Sequence, residues 1–533
     1  MSQLSLFTDY NTQAMSIPEV ATQLQVSVAT IRNWIKVGYL HQVSAYTVTK
    51  DSVDSFTHQY VGKTKLVSRA NKSSKDVSRT DFDVTRYEGC AISDAYESSL
   101  SDSYRNKEGI FYTPSSITSN MMKDVHANEY ETFLEPCCGS GNFVLEAVQH
   151  GVKPENIYAF DTDAKAVEIT KRRLFEATGY NSPNIVCADF LQICKTLHRK
   201  FDYIYTNPPW GKKMLKAEKM RYANAYNAGN SNDTCALFFF ASLSLLKEGG
   251  EIGFLLPEAF FNIAVFENVR KCVLQLDILR LIDYDRAFKG LMTKAMAIVL
   301  RNTQAQDDAV VQCEIKSSVI QRTKKSFSYA PKSILNFTYG EEIADTIKYL
   351  YNQPHTTLAG NASWGLGIVT GNNSELCSDT PLENYVPVYR GKDITTAGIA
   401  RPTLFINKDL RNCQQVAPMS LYLAPEKLIY RFISDKLVFY CDTQQRYILN
   451  SANMLVLNTD FPICGRQLTD VMNSKFMNWL FHTLFATHKI LRGDLEMLPI
   501  YTEYFHTNSV FDEAKYLDFI NLEEKDGTYR IKK

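Results

Sequence analysis

An asparagine amide, two prolines and a tryptophan occur together in the segment Phe201-Asp-Tyr-Ile-Tyr-Thr-Asn-Pro-Pro-Trp210. The apolar residues before Asn207 predict a strand that leads into a turn. Each proline fixes its own φ at about −65°, and Pro208 keeps Asn207 out of the helical region. The segment therefore presents an amide and a carbonyl beside a flat ring. Two acceptors match the two hydrogens of a planar exocyclic amine, and the ring offers a face on which the planar group can stack. The alternative interpretation is an ordinary β-turn after a buried strand.

Three further predicted strands precede this segment, and each ends in residues with a chemical use. The first is followed by Gly139 and Gly141, which permit positive φ and the close approach of a ligand. The second ends in Asp161, an acid where a ribose would be held. The third ends in Asp189-Phe190. Alternating strands and helices predict a parallel, doubly wound sheet with ligands at the carboxyl ends of its strands.

Taken in order, these motifs resemble those of the gamma-class adenine-N6 DNA methyltransferases of type II restriction–modification systems. The resemblance begins at Gly109-Ile-Phe-Tyr-Thr-Pro114 and ends with Asp283-Tyr-Asp-Arg-Ala-Phe-Lys289 and a following strand, so that it covers residues 105–302. Two positions depart from the family pattern. Trp210 stands where tyrosine or phenylalanine is commoner, and Cys137-Cys138 stand where small residues are usual.

The resemblance implies the fold class and the domain organisation. We expect an α/β protein with a Rossmann-like, S-adenosylmethionine-dependent methyltransferase core, an N-terminal helix-turn-helix and a β-rich C-terminal target-recognition domain. The expected parts are a helix-turn-helix in residues 1–56, a polar and basic connector in 57–108, the catalytic domain in 109–340 and the target-recognition domain in 341–533.

The resemblance also implies the reaction, which transfers a methyl group from S-adenosylmethionine to the N6 amine of an adenine in double-stranded DNA. Asn207 and Pro208 then accept the two amine hydrogens, and the base must be flipped out of the duplex to reach them. The catalytic motif is Asn207, Pro208, Pro209 and Trp210. Trp210 and Phe288 are expected to sandwich the flipped base, although Phe288 could instead be a loop aromatic packed on the core.

The same resemblance assigns the cofactor site. Asp161 is expected to hold the ribose of S-adenosylmethionine, Asp189 its adenine amine, and Phe190 to stack on the adenine ring. The residues of the glycine loop and of the methionine end are Thr113, Glu135, Pro136, Gly139 and Gly141. The reaction implied by the motif requires no metal ion.

A separate module precedes the catalytic region. Residues 17–24 are amphipathic, residues 29–36 predict a second short helix, and residues 40–56 suit a hairpin and a closing helix. This pattern resembles the winged helix-turn-helix of excisionase-like and MerR-like proteins. The outward positions of its recognition helix are Thr30, Arg32, Asn33 and Lys36. The alternative is a helical hairpin that contacts another protein.

The connector and the C-terminal region carry further candidates for DNA contact. Basic residues and serines alternate in the connector, which suits either phosphate contact or a solvated linker; the basic residues are Lys63, Lys65, Arg69, Lys72, Lys75, Arg79 and Arg86. After residue 357 the pattern is β-rich, with aromatic residues and arginines interleaved, and a helix is predicted over 467–490. Arg390 and Arg431 are the candidate DNA contacts, and an ordinary half-buried sheet is the alternative.

Composition bounds the remaining possibilities. The 533 residues are 45% hydrophobic, as in a globular protein of several domains, and the 58 basic and 58 acidic residues balance. This balance counts against bulk electrostatic DNA binding but not against a local basic groove. The 12 cysteines include no CxxC pair, so we expect reduced thiols in a cytoplasmic protein without a metal site. No signal peptide or membrane span is predicted.

Other functions remain open at this stage. Asp308…Glu314-Ile-Lys316 fits the string of a magnesium-dependent nuclease, which would make the chain a bifunctional methyltransferase and restriction endonuclease, but we expect this string to lie in a loop. Asn-Pro-Pro-aromatic motifs also serve RNA and protein N-methyltransferases. If the chain only modifies DNA, a separately encoded restriction endonuclease is a candidate partner.

Overall fold

The computed structural model describes residues 14–24, 28–36, 40–44, 46–60, 82–83, 86–87, 90–100, 109, 111–288, 291, 293–485 and 489–532. The chain divides into two compact units, of which one comprises Met1–Asp83 with Ser99–Tyr104 and the other Val84–Ser98 with Arg105–Lys533. Six of the seven basic residues expected in the connector, from Lys63 to Arg79, lie outside the described residues, whereas Arg86 is exposed.

The described residues of the first unit form three helices and a three-stranded antiparallel sheet in the order β1-β3-β2. The helices are Ile17–Gln23, Val28–Lys36 and Lys50–Tyr60, and the strands are β1 (Ala14–Ser16), β2 (Gln42–Ser44) and β3 (Thr47–Thr49). The first helix begins with a capping box, in which Ser16 and Glu19 exchange side-chain and backbone hydrogen bonds. A small apolar core formed by Val20, Ile31 and Phe56 joins the elements.

Within the described residues of the second unit, nine strands form one sheet in the order β12-β11-β9-β10-β8-β7-β4-β5-β6. The strands are β4 (Phe133–Glu135), β5 (Ile157–Asp161), β6 (Ile185–Cys187), β7 (Phe201–Thr206), β8 (Leu246–Pro257), β9 (Asp277–Asp283), β10 (Ala295–Arg301), β11 (Val310–Ile315) and β12 (Ser318–Thr323). β10 and β12 run antiparallel to their neighbours, and the other strands are parallel to one another.

Helices cover the sheet and explain its continuous apolar strands, because a strand buried on both faces needs no alternation of polar residues. The helices of this region are Cys90–Ser99, Ser115–Met122, Asn142–Gln149, Ala164–Thr178, Phe190–Ile193, Lys216–Ala225, Thr234–Ser244, Ala259–Asn262 and Glu267–Val273. In β10, for example, the residues from Ala295 to Leu300 are all buried. The helix Cys90–Ser99 differs from the expectation of a polar connector through residue 108, because nearly all of it belongs to the second unit and its Ile92 and Tyr96 are buried.

The nuclease-like string also differs from expectation, since Glu314 lies in β11 and not in a loop. β11 pairs with β9 on one side and with β12 on the other. The Glu314 carboxylate accepts hydrogen bonds from Arg280 and Lys123, at 2.8 Å each, and from Asn120 at 3.3 Å. Glu314 therefore joins β11 to the helix Ser115–Met122 and to the adjacent Lys123.

The C-terminal region is β-rich, as predicted, and has two apolar cores of its own. Its strands are β13 (Ala362–Leu366), β14 (Cys377–Ser378), β15 (Tyr385–Tyr389), β16 (Ile394–Thr395), β17 (Gly398–Ile399), β18 (Phe405–Asn407), β19 (Lys427–Arg431), β20 (Phe439–Asp442), β21 (Tyr447–Ile448), β22 (Ala452–Leu457), β23 (Leu522–Lys525) and β24 (Thr528–Ile531). Its helices are Glu341–Asn352, Asn373–Leu376, Met419–Tyr422, Gly465–Asn473, Lys475–Phe485, Arg492–Leu495 and Glu513–Phe519.

The single helix predicted over residues 467–490 is in fact two helices, Gly465–Asn473 and Lys475–Phe485. Ser474 separates them because its backbone is extended and its hydroxyl accepts the Met477 N–H at 3.0 Å, as an N-cap does. The second helix contacts the catalytic region, where the Asn262 side chain donates to the Phe485 carbonyl at 2.6 Å. No helix in the described parts of the chain has the length and apolarity to cross a bilayer.

Candidate active site

The four strand ends singled out in the sequence lie at one edge of the sheet. β7, β4, β5 and β6 are adjacent and parallel, so their carboxyl ends share that edge. The chain moves outward from β4 to β6 and returns to β7 on the other side of β4. Ligands of open α/β sheets bind where the strand order reverses in this way. Asn207 and the glycine loop, which follow β7 and β4, are therefore on the two sides of this reversal.

The glycine loop after β4 has no room for side chains at its two predicted glycines. Gly139 and Gly141 adopt φ values of 48° and 86°. A Cβ atom on Gly139 would stand 2.6 Å from the ring of Tyr112, and one on Gly141 would stand 2.8 Å from Thr170. Both contacts are shorter than van der Waals distance, so glycine is required at both positions by backbone conformation and by space.

Hydrogen bonds fix the loop to the neighbouring strand and helix. The Asp161 carboxylate accepts the N–H groups of Gly139 at 2.8 Å and of Asp163 at 2.9 Å. Thr170 donates to the Gly139 carbonyl at 2.8 Å, and Arg173 donates to the Ser140 carbonyl at 2.5 Å. Thr170 and Arg173 lie on the helix Ala164–Thr178, so the loop, the predicted ribose acid and this helix form one hydrogen-bonded unit.

Two acids, the buried Glu135 and the half-buried Asp161, give this edge of the sheet an unusual electrostatic character. Glu135 is 2% exposed, and its Oε2 atom has no hydrogen-bond partner in the described structure. Burial raises the pKa of Glu135 well above its ordinary value, and the charge of Asp161 raises it further. Burial also raises the pKa of Asp161. A cationic group bound between these acids would reverse both effects, since opposite charge favours the ionised carboxylate.

Asp189 and Phe190 occupy the next strand end. Asp189 caps the helix Phe190–Ile193, where its carboxylate accepts the Leu191 N–H at 3.0 Å and the Gln192 side-chain amide at 2.9 Å. Phe190 is buried, and its ring is stacked against Phe238 at a centroid distance of 5.8 Å. The face of Phe190 toward Phe238 is therefore already in contact with protein.

The Asn207 amide is held in one orientation. Its Nδ2 donates to the Phe111 carbonyl at 2.8 Å, while its Oδ1 is buried and lacks a hydrogen-bond partner in the described structure. Because the NH₂ end is fixed by Phe111, the oxygen end is also fixed. Pro208 is buried and Pro209 half-buried, so the turn is both stiff and packed. The site thus holds a desolvated, unpaired acceptor at the position predicted to bind an amine.

Three aromatic rings stand beside this amide. Trp210 is 8% exposed and Phe288 6% exposed, and their centroids are 5.4 Å apart at an interplanar angle of 86°. Phe111 contacts both rings, at 6.1 Å and 5.7 Å. The expected sandwich is not formed here, because two parallel rings need about 7 Å between them to admit a base, twice the common 3.5 Å contact distance. Either ring must move before a base can stack between them.

The Gly109–Pro114 motif is hydrogen-bonded to the Asn-Pro-Pro-Trp turn. The backbone N–H of Trp210 donates to the Gly109 carbonyl at 3.1 Å. Gly109 has φ of 70°, and a Cβ atom there would stand 2.3 Å from the Trp210 carbonyl oxygen. Thr113 is buried, and its carbonyl accepts the Asn142 side-chain amide at 2.6 Å, which joins the same motif to the first turn of the helix after the glycine loop.

Sequence reasoning missed two side chains on the helix Cys90–Ser99. Ser93 donates to the Ser140 hydroxyl at 2.6 Å, and Tyr96 donates to the Asp163 carboxylate at 2.5 Å. The available signal was the i, i+4 spacing of Ile92 and Tyr96, which marks a buried helix face. The polar composition of residues 57–108 as a whole predicts a connector instead.

The candidate DNA-contact arginines make contacts within the C-terminal region. Arg390 pairs with Asp393 at 3.1 Å and donates to Thr403 at 2.7 Å. Arg431 donates to the Ile394 carbonyl at 2.8 Å. Both therefore hold the turn around Asp393. In the first unit, Arg32 is exposed, and the side chains of Thr30, Asn33 and Lys36 lie outside the described residues.

Two family models match the chain in the regions described above. The N-6 DNA Methylase model matches residues 89–348, and the TaqI-like C-terminal specificity domain model matches residues 386–500. The first contains every predicted cofactor and catalytic residue together with the helix Cys90–Ser99. The second covers most of the strands of the C-terminal region.

Among curated proteins, the type II methyltransferase M.VspI of Vibrio sp. (strain 343) is 44% identical over 408 residues, which span 75% of this chain and 100% of that protein. The chain belongs to the N-6 DNA methylase family. It is a DNA methyltransferase of the restriction–modification type, as expected from its motifs. The modification methylase CviBIII of Paramecium bursaria Chlorella virus NC1A is 29% identical over 212 residues, 39% of this chain and 53% of that protein.

Solved structures of restriction–modification enzymes share the fold of this family member. The DrdV–DNA complex has a TM-score of 0.52 and 12% identity, covering 92% of this chain and 64% of that one. The type IIL enzyme MmeI in complex with DNA has a TM-score of 0.52 and 10% identity, covering 84% and 73%. The expected mixed α/β class is confirmed, and membership of the family implies dependence on S-adenosylmethionine.

Proposed function

We propose that this methyltransferase modifies the N6 amine of an adenine flipped out of double-stranded DNA, with Asn207 as the residue that binds the amine. The observation that carries the proposal is the Asn207 amide, whose Nδ2 is fixed by Phe111 and whose buried Oδ1 has no partner in the described structure. An unsatisfied buried acceptor costs about 1–3 kcal/mol. An N–H donor from the substrate would remove that cost, so the site favours an amine.

The chemistry follows from holding both amine hydrogens. In this scheme Asn207 Oδ1 accepts one hydrogen and the Pro208 carbonyl accepts the other, which directs the nitrogen lone pair away from both. Pro209 stiffens the turn so that the two acceptors keep their positions. Catalysis then consists of positioning and electrostatic stabilisation, and no strong base is required before transfer.

The residues around the glycine loop fit S-adenosylmethionine, which supplies an activated methyl group when bound. The Asp161 carboxylate accepts two backbone N–H bonds, and a carboxylate has about four acceptor positions, so two remain for ribose hydroxyls. Gly139 leaves space for a ligand beside the backbone. Glu135 offers an unpaired oxygen to the cationic methionine end. Thr113, Pro136, Gly141, Asp189 and Phe190 complete the proposed cofactor site.

We assign target recognition to the C-terminal region and, in part, to the first unit. The proposal is supported by the match of residues 386–500 to a specificity domain. In this proposal Arg390 and Arg431, which hold the turn around Asp393, place that turn against the DNA. We assign the helix Val28–Lys36 as the recognition helix of a helix-turn-helix, with phosphate contacts through the exposed Arg32. Trp210 and Phe288 stack on the flipped base after one ring moves.

The chain is proposed to modify DNA and not to cut it, with restriction carried out by a separate endonuclease. Glu314 is unsuited to a magnesium site because Arg280, Lys123 and Asn120 already donate to its carboxylate. Asp308 and Lys316, the other members of the string, are exposed. An RNA or protein substrate receives no support from the C-terminal specificity domain.

The test compares Asn207→Ala with the matched variant Asn302→Ala, whose side chain donates to the Lys247 carbonyl at 2.9 Å, apart from the site. We expect Asn207→Ala to abolish methyl transfer and to leave cofactor affinity, measured by calorimetry, within a few fold. Single-molecule sequencing of DNA from cells with the gene should reveal a modified adenine in a fixed context. A near-normal transfer rate for purified Asn207→Ala would refute the assignment.

A further inference from the structure

The helix Cys90–Ser99 contacts both the glycine loop and the strand end that carries Asp161. We propose that this helix is part of the S-adenosylmethionine site and that Tyr96 is a positioning residue for Asp161. The inference rests on the proposed function, because it concerns the cofactor and the ribose acid assigned there. It assigns a cofactor role to residues upstream of the Gly109 motif.

Tyr96 reaches Asp161 through one intermediate residue. Its hydroxyl donates to Asp163 Oδ2 at 2.5 Å, and both side chains are buried. The other oxygen of Asp163 accepts the Lys165 N–H at 3.0 Å and so begins the helix Ala164–Thr178. The Asp163 N–H in turn donates to Asp161 Oδ1 at 2.9 Å. Tyr96 thus fixes the residue that supplies one of the two backbone donors of Asp161.

Ser93, one turn before Tyr96 on the same helix, contacts the glycine loop. Ser93 donates to the Ser140 hydroxyl at 2.6 Å, and both residues are buried. The ring of Tyr96 stands 6.1 Å from that of Tyr112, which lies against the Cα of Gly139. The helix therefore contacts the glycine loop directly at Ser140 and approaches Gly139 through the ring of Tyr112.

The buried carboxyl group of Asp163 explains why a hydroxyl is needed at position 96. A buried carboxyl oxygen without a donor is strongly unfavourable, so the side chain reorients toward another donor. Reorientation would move the Asp163 N–H away from Asp161. Asp161 would then accept a hydrogen bond from the Gly139 N–H and from no other backbone donor among the described residues. Its remaining acceptor positions would no longer point toward the ligand. The effect falls on cofactor binding, because Asn207 is held independently by Phe111.

The experiment measures S-adenosylmethionine binding to the full-length protein by calorimetry, without DNA. We expect Tyr96→Phe, which keeps the ring and removes the hydroxyl, to raise Kd about ten-fold, equivalent to about 1.4 kcal/mol. The matched control is Tyr351→Phe, which removes the hydroxyl of a half-buried tyrosine that donates to the Met497 carbonyl at 2.9 Å in the C-terminal region. Its Kd should match that of the wild type within a factor of about two.

Two further measurements separate positioning from general destabilisation. If Tyr96 acts through Asp163, the effect of Tyr96→Phe should shrink to about three-fold or less in an Asp163→Asn background, because coupled residues are not additive. At saturating cofactor, kcat of Tyr96→Phe should equal that of the wild type while KM for the cofactor rises. A loss caused by misfolding would lower kcat and persist in the Asp163→Asn background.

The outcomes distinguish the two proposals. If the wild-type protein binds no S-adenosylmethionine, the proposed function itself fails. If the wild type binds and a folded Tyr96→Phe binds equally well, the positioning role alone is overturned. If Tyr96→Phe does not fold, by circular dichroism, Ser93→Ala decides: binding weakened about three-fold or more supports the role of the helix, and unchanged binding overturns it.

Discussion

Glu314→Ala tests whether the acid of the nuclease-like string has a structural role. The Glu314 side chain is 10% exposed and that of Arg280 is 4% exposed, with 2.8 Å between Oε1 and Nε. Lys123 adds a second cation at 2.8 Å. Removing the carboxylate leaves the Arg280 guanidinium buried, with the largely exposed Asp124 at 3.4 Å as its remaining acidic partner among the described residues.

The expected cost follows from that geometry. Removing one partner of a buried ion pair costs about 3–5 kcal/mol, and the retained bonds from Arg280 to the carbonyls of Met121 and Asn120 reduce this to about 2–3 kcal/mol. At roughly 2–4 °C per kcal/mol for a large domain, the melting temperature should fall by roughly 5–10 °C. The matched control is Glu129→Ala, which removes an exposed pair with Lys153 and should change the melting temperature little.

The pH dependence provides a second measurement. Burial alone would raise the pKa of Glu314, but the hydrogen bonds from Arg280 and Lys123 lower it below its ordinary value. A lowered pKa in the folded state contributes stability above the unfolded pKa, about 4.3 for glutamate, and this contribution is lost as the pH falls. The stability difference between wild type and Glu314→Ala should therefore narrow in acid. If Glu314→Ala melts at the same temperature as Glu129→Ala at neutral pH, this account is refuted. If the wild type cuts DNA and a stable Glu314→Ala variant does not, Glu314 belongs to a nuclease site.

Three further predictions concern the active site. Gly109→Ala should lower the methylation rate at least ten-fold, about 1.4 kcal/mol, because its Cβ would displace the Trp210 carbonyl; wild-type kinetics would contradict this. Burial raises the pKa of Glu135 in the folded protein. The ligand-free wild type should therefore lose stability relative to Glu135→Gln as the pH rises above the unfolded glutamate pKa of about 4.3. Melting curves in which this stability difference does not change with pH would contradict the raised pKa. Trp210→Ala should weaken flipped-base stacking by about 1–3 kcal/mol. With 2-aminopurine at the target position, the fluorescence change on DNA binding should therefore differ between the variant and the wild type, and the same probe at a neighbouring adenine is the control; identical changes in both proteins would contradict the stacking role.

Local pattern in the sequence was sufficient for the four strand ends of the catalytic edge. The apolar runs before Gly139, Asp161, Asp189 and Asn207 predicted strands, and β4 to β7 lie where those runs lie. The order of the motifs along the chain predicted the family, which the 44% identity to M.VspI confirms. This part was predictable because strand periodicity, glycine turns and proline turns are properties of a few consecutive residues.

The sequence was less informative wherever one residue acts on another that is distant along the chain. Tyr96 and Asp163 are 67 residues apart, and Lys123 and Glu314 are 191 apart, so neither pair forms a local pattern. Short strings are ambiguous for the same reason. Asp308…Glu314-Ile-Lys316 left a nuclease open as an alternative in sequence, whereas in space Glu314 accepts a hydrogen bond from Asn120 of the helix Ser115–Met122.

Tertiary structure also decided the state of the aromatic residues. Trp210 and Phe288 were both predicted as stacking residues, yet their rings meet edge to face and exclude a base. The sequence specifies that two aromatic rings can stack on a base, but packing selects their relative orientation. Without a base, a tilted ring contact is favoured because an open gap between the rings would lose dispersion energy. The residues of the site were thus determined locally, and its closed geometry was determined by the surrounding core.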